Sequence, residues 1–310
     1  MADAILHIKD SYYFEVPKFM WRHGYTSVDQ VPEFLQKAHP HSTPAEFNEA
    51  LDGKILIPQP FATLKNLYEK EPGGFALSRF MIMELVVAVI IAALFIRLAT
   101  KLRSGGVPRG RLLHMLEGIL LYLRDNVAIP AIGHHDADRF VPLLWTLFFF
   151  ILGCNLFGLV PWTGSPTAAF GVTLALAGVT FMTVLLGGMA KFGPVGFWLN
   201  QVPHMDLPWY MFPLKIGIWF IEVIGLLIRH GVLAVRLLAN MVAGHLVLLA
   251  IMGMAFSLEG AKSDSWWLMA TISVLGTSLL SCLELFVALL QAYVFTFLSA
   301  LFIGAAVHKH

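Results

Sequence analysis

Long apolar stretches separated by short polar segments dominate the chain. The first, residues 80–100 (FMIMELVVAVIIAALFIRLAT), is long enough at 1.5 Å per residue to cross about 30 Å of hydrocarbon. A second covers residues 140–161 and a third 168–190, joined by WTGSPT as a tight hairpin. The fourth, residues 209–256, would extend roughly 70 Å as one helix, about twice the hydrocarbon thickness. The fifth, residues 266–307, has a similar excess, so both must tilt, bend or reach out of the bilayer. Residues 112–127 instead alternate a Leu/Ile face with Glu117, Arg124 and Asp125, the pattern of a helix lying in the interface. The periodicity predicts an all-α multi-pass membrane protein. It has about five membrane-inserted helices plus one interfacial amphipathic helix, the last two helices long, tilted and antiparallel.

Residues 1–75 differ in character, mixing acids, bases, aromatics and six prolines from Pro17 to Pro60. They read as an extramembrane head of short helices and loops, with an amphipathic stretch at 44–51, leaving 76–310 as the membrane domain. No cleavable signal peptide is evident in MADAILHIKD. The loop KLRSGGVPRGR carries Lys101, Arg103, Arg109 and Arg111 and no acid. The positive-inside rule places it in the cytoplasm and the head outside. Residues 191–208, with Pro194, Gly196, Pro203 and Pro208, read as a cytoplasmic loop, and 258–265 as an outer polar turn. The C-terminus then lies in the cytoplasm.

Composition sharpens this picture. Apolar residues make up 57% of the 310 positions and charged residues 13%, a balance of the membrane class. A formal net charge of +1 gives no reason to expect nucleic acid. Cys154 and Cys282 form neither a disulfide framework nor a metal-ligand spacing. The run of His134, His135, Asp136 and Asp138 has no second cluster at ligand spacing, so it reads as a solvated loop. No phosphate loop, nucleophile elbow or metal triad occurs, which predicts no cofactor and no metal. The chain alone is not expected to make or break ATP.

Within the fourth run, Lys215, Glu222, Arg229 and Arg236 recur every seven residues, with Asn240 four beyond, all on one helical face. Arg236 lies mid-run, where a permanent charge needs a partner, water or a purpose. Lys215 and Arg229 lie nearer the cytoplasmic end, where snorkelling to the headgroups is at least as good a reading as a place on the ion path. In the fifth run Thr277, Glu284 and Gln291 form a polar stripe at the same spacing. Folded antiparallel, one register brings Arg236 to Gln291 and His245 to Glu284, since the residue-number sums of the two pairs differ by two. A buried His and Glu can exchange a proton near neutral pH. Arg does not release a proton, but as a fixed charge it favours ionisation of an opposing carboxyl and repels hydronium. Gln291 is expected to hold the guanidinium by a neutral hydrogen bond. Glu84 reads as interfacial and His230 as a satisfied helix histidine.

RLLANMVAGH (residues 236–245), LELFVALLQAYVFTFLSALF (283–302) and NLFGLVP (155–161) resemble subunit a of the rotary F-type ATP synthases, over about residues 55–307. The resemblance implies a proton-channel stator whose two long final helices wrap against a ring of c subunits, with two offset aqueous half-channels. It implies Arg236 as the essential stator charge, Asn240 as its neighbour and Gln291 as a polar partner. His245 and Glu284 become the outer proton relay, Glu222 lines the inner half-channel and Asn155 lies near the outer route. Gly158 and Thr163 stand where some bacterial members carry acids. The resemblance further implies c-ring and peripheral-stalk b partners, protons as cargo and a bacterial inner-membrane location. Two other readings stay open on the residues alone. One is a self-contained secondary transporter or ion channel lined by Lys215, Arg229 and Arg236, although the first half holds no second copy of the Arg motif. The other is a structural membrane anchor, which would leave the His/Glu register without a reason.

Overall fold

The computed structural model describes residues 10–60, 62–103, 110–160, 163–200, 212–257 and 266–308. The expected outer turn at 258–265, and parts of the loops at 101–111 and 191–208, lie outside the described residues.

The five apolar runs form five helices long and apolar enough to cross a membrane. They are α3 (Arg79–Arg103), α6 (Ala137–Gly158), α7 (Phe170–Phe192), α9 (Phe212–Ser257) and α10 (Trp266–Val307). The protein is an all-α multi-pass membrane protein with a small head. α9 and α10 are continuous at 46 and 42 residues, so the overlong runs stay unbroken. Before α3 come α1 (Glu33–Ala38) and α2 (Pro44–Leu51); between α3 and α6 come α4 (Arg111–Leu123) and α5 (Ile129–Ile132).

Two stretches depart from the sequence pattern. The interfacial helix does not stop near residue 127: α4 passes through one π-turn, Arg124–Ala128, into α5. Pro130 has no N–H for the carbonyl four residues back, and a one-residue shift of register absorbs that loss. Residues 194–200, read as loop, form α8 (Pro194–Asn200). Pro194 starts it where a missing N–H costs nothing, and Gly193 turns into it at φ +77°.

The chain packs as two compact units, and α9 and α10 each contribute segments to both. One unit comprises Met1–Val89, Cys154–Ala169 and Val242–Glu284. Its head contains two short strands, β1 (Tyr13–Glu15) and β2 (Lys54–Leu56), paired antiparallel with Tyr13 opposite Leu56. At three residues each they are too short to show a period-two signal. Thr43 and Glu46 form a capping box at α2, with Pro44 next to the cap. Val31, Leu35, Phe47 and Leu51 fill the small head core. Arg79 N–H, at the first residue of α3, donates to Ser11 O at 2.8 Å, and Gln59 pairs both ways with the Leu77 backbone. The head is therefore bonded onto the end of the first span.

The second unit comprises Ile90–Gly153, Phe170–Met241 and Leu285–His310. Leu144, Ile151, Phe197, Leu233, Phe295 and Ile303 lie at its buried centre. Small residues let the helices approach: a Cβ at Gly188 would overlap the Phe197 ring, and one at Gly304 would overlap the Ala131 carbonyl. Asp136 pairs with Lys191 at the end of α7, and Arg124 donates from Nε to Asp138 at 2.9 Å. Those two acids of the HHDAD run thus act as anchors between elements.

Candidate functional site

In the first unit, α9 supplies His245 and α10 supplies Glu284. His245 Nδ1 lies 2.9 Å from Glu284 Oε1, and His245 Nε2 lies 3.1 Å from the Gly158 carbonyl oxygen. These two contacts fix the proton inventory. A carbonyl only accepts, so Nε2 carries a hydrogen and donates it. The Nδ1–Oε1 bond then needs a second proton, held by His245 as imidazolium or by Glu284 as the acid. The pair is a one-proton cell. Glu284 is buried, and among the described residues its Oε2 has no hydrogen-bond partner.

The close approach depends on Gly244. A Cβ there would sit 2.6 Å from Glu284 Oε1. Nothing in the apolar pattern singles out this glycine. It lies in the VAGH segment immediately before His245, and only the antiparallel partner gives it a reason.

Asn155, near the end of α6, is fully buried. Its Oδ1 accepts from Thr167 Oγ1 at 2.8 Å, and Thr167 Oγ1 meets Ser165 Oγ at 3.1 Å. Sequence reasoning found Asn155 but missed Ser165 and Thr167, which sit in a segment that looked like an ordinary hairpin. Thr163 donates to the Phe157 and Val160 carbonyls, closing the end of α6. Gly158, where a carboxylic acid would offer a side chain, contributes its backbone oxygen to His245 instead. Arg79 was also missed. It is 1% exposed, stacks over Phe80 at 5.3 Å, and lies where a Cβ on Gly164 would be 2.9 Å from Nη2.

The second unit holds the other polar cluster. Asn240 Nδ2 donates to Gln291 Oε1 at 2.9 Å, and Gln291 is buried with its Nε2 unpartnered among the described residues. This corrects the expected Arg236–Gln291 bond. Asn240 stands one turn beyond Arg236 on the same face, and it meets the Gln291 oxygen first. Arg236 is half-buried, with no hydrogen bond or ion pair among the described residues. Among the described residues no carboxylate pairs with its charge.

Glu222 Oε1 accepts from Arg229 Nη2 at 2.6 Å. Arg229 therefore serves as counter-charge to the carboxylate seven residues before it. His230 is half satisfied. Its Nδ1 lies 2.8 Å from the Leu226 carbonyl, its Nε2 is buried without a partner among the described residues, and Phe181 and Phe302 flank the ring. No group of three metal-binding side chains occurs among the described residues.

Comparison with known proteins agrees with the motifs. The ATP synthase A chain family matches residues 81–304. ATP synthase subunit a of Anaeromyxobacter sp. (strain Fw109-5) is 34% identical over 308 residues, covering 98% of this chain and 70% of the relative. That of Myxococcus xanthus (strain DK1622) is 40% identical over 236 residues, covering 74% and 73%. The Chloroherpeton thalassium (strain ATCC 35110 / GB-78) protein of the same name is 35% identical over 267 residues, covering 84% and 75%. A family match over residues 81–304, and a relative 34% identical over 98% of the chain, establish that this protein belongs to the ATP synthase subunit a family.

Proposed function

We propose that the chain is the proton-channel stator of an F-type ATP synthase, delivering protons to and collecting them from a c-ring. The observation that carries this reading is the one-proton cell of His245 and Glu284, a buried carboxyl paired with a partly buried imidazole in a membrane protein of this family. Protons enter by the buried Asn155, Thr167 and Ser165 cluster and pass through His245 and Glu284 to an ionised carboxylate on a c subunit. Neutralised, that carboxyl tolerates lipid, where a charged one would be costly. After rotation it releases its proton on the inner route lined by Glu222, whose charge Arg229 balances. Arg236 stands between the routes, repels hydronium and holds the approaching ring carboxylate ionised. Asn240 and Gln291 support its neighbourhood with neutral polarity.

In this reading residues 1–75 are the extramembrane head and 76–310 the membrane domain. The N-terminus lies outside and the C-terminus in the cytoplasm of a bacterial inner membrane. Peripheral-stalk b subunits hold the stator in place. The chain is not catalytic alone; ATP forms on other subunits.

Affinity purification from membranes followed by proton-flux measurement on the isolated chain tests the reading. A co-purifying c-ring, with no flux through the isolated chain in liposomes, is the expected result. Steady proton or anion flux through the isolated chain would identify a self-contained channel instead.

A further inference from the structure

The head carries a feature that the proton route does not use. Between β1 and the first short helix, residues 18–22 read Lys-Phe-Met-Trp-Arg. Phe19 is 77% exposed, Met20 67% and Trp21 45%, an uncommon display for three large apolar neighbours. The segment is not loose. Met20 N–H donates to Pro17 O at 2.8 Å, and Gly53 N–H donates to Trp21 O at 2.9 Å. His23 N–H donates to Asp52 Oδ1 at 2.8 Å, and the His23 ring stacks on Tyr25 at 5.3 Å between centroids. Gly53, at φ +79°, makes room: a Cβ there would lie 2.7 Å from Val16 O. The loop is held with its apolar side chains facing out.

We propose that this loop is a bilayer anchor, with Phe19, Met20 and Trp21 seated in the headgroup layer and Lys18 and Arg22 on lipid phosphates. Three observations select a lipid surface as the occupant. A cation brackets the apolar trio on each side, and neither Lys18 nor Arg22 has an ion pair among the described residues. An aromatic flanked by basic side chains matches the chemistry of the membrane–water interface, apolar on one side and anionic on the other. The loop also belongs to the same compact unit as the start of the first span. Ser11, bonded to Arg79 at the head of α3, precedes Phe19 by eight residues, which limits the separation to about 28 Å. The membrane that α3 enters is thus the apolar surface within reach. Anchored at α3 and at this loop, the head would be fixed in orientation by two points.

Spin labels on the full chain in nanodiscs of zwitterionic and anionic lipid test this directly. Labels go at Phe19→Cys and separately at Met20→Cys, in a background with Cys154→Ala and Cys282→Ser. Lys37→Cys serves as the water-exposed reference on the head and Val89→Cys as the lipid reference on α3. At positions 19 and 20 the ratio of oxygen to nickel-chelate accessibility should rise several-fold above that at 37, towards the value at 89. Ratios equal to that at 37 would put the loop in water and overturn the proposal. Low accessibility to both reagents would put it against protein and overturn it equally. Helical circular dichroism of each labelled chain confirms that it is folded before it is read.

Discussion

Replacing Gly244 with Ala should disable the relay without touching either of its titrating side chains. The added Cβ would lie 2.6 Å from Glu284 Oε1 and 3.1 Å from Cδ. Ordinary van der Waals contact begins at 3.4 Å, so the carboxyl must retreat by about 0.8 Å or more. The His245–Glu284 distance, now 2.9 Å, would then pass beyond hydrogen-bond range if the retreat is along that line. A hydrogen bond involving a charged group contributes about 1.5–3 kcal/mol, so proton occupancy on the pair should fall by roughly 10- to 100-fold. The assay is ATP-driven acidification of vesicles carrying the assembled synthase, normalised to the amount of subunit in the membrane. Gly244→Ala should lower the rate by up to that factor while leaving assembly intact. Adding Glu284→Asp, which shortens the side chain, should recover part of the loss. Normal pumping by Gly244→Ala, or no difference between it and the double variant, would refute the argument from close approach.

Three further outcomes follow from the same geometry. Exchanging the partners, His245→Glu with Glu284→His, should retain more ATP synthesis than either single change, because only the double variant keeps an acid–base pair across the two helices. Gly164→Ala should lower the thermal midpoint of the purified chain, since Gly164 has φ +73° and its Cβ would lie 2.9 Å from both Arg79 and Phe80. The backbone penalty alone is about 1–2 kcal/mol, and differential scanning fluorimetry reads the shift. In the head, burial and then the hydrogen bond to Tyr68 push the Tyr13 hydroxyl above its ordinary range near 10. A group whose folded value is raised stabilises fully below the unfolded value, and that contribution disappears as pH climbs towards the folded one. Ultraviolet titration at alkaline pH should therefore show late tyrosine ionisation whose amplitude drops by one residue in Tyr13→Phe.

The spans were legible because hydrophobic periodicity over twenty or more residues is a strong signal, and α10 begins and ends where the pattern does. The His245–Glu284 pair was legible from index arithmetic, because two antiparallel helices without breaks preserve a register across many turns. The same arithmetic misassigned Gln291, since it fixes depth only to about a turn and Asn240 lies one turn from Arg236. Short-range details were hidden for a different reason. Gly244 and the Gly158 carbonyl act through space and backbone, and neither has a side chain that a pattern can register. Pro194 and Gly196 suggested loop at positions where proline merely starts α8 and glycine is carried within it. The strands of the head were too short to alternate visibly, and no pattern in the chain singles out Arg79, which is buried in the fold.

Separation of the two proton routes is assigned to Arg236, which has no ion pair among the described residues. The most direct test of that assignment is ATP synthesis together with passive proton conduction in proteoliposomes holding the complete complex with Arg236→Ala. Loss of synthesis with a proton leak through the assembled complex is the predicted result, because nothing would then keep the two routes apart. Proton-driven synthesis at the normal rate would contradict it.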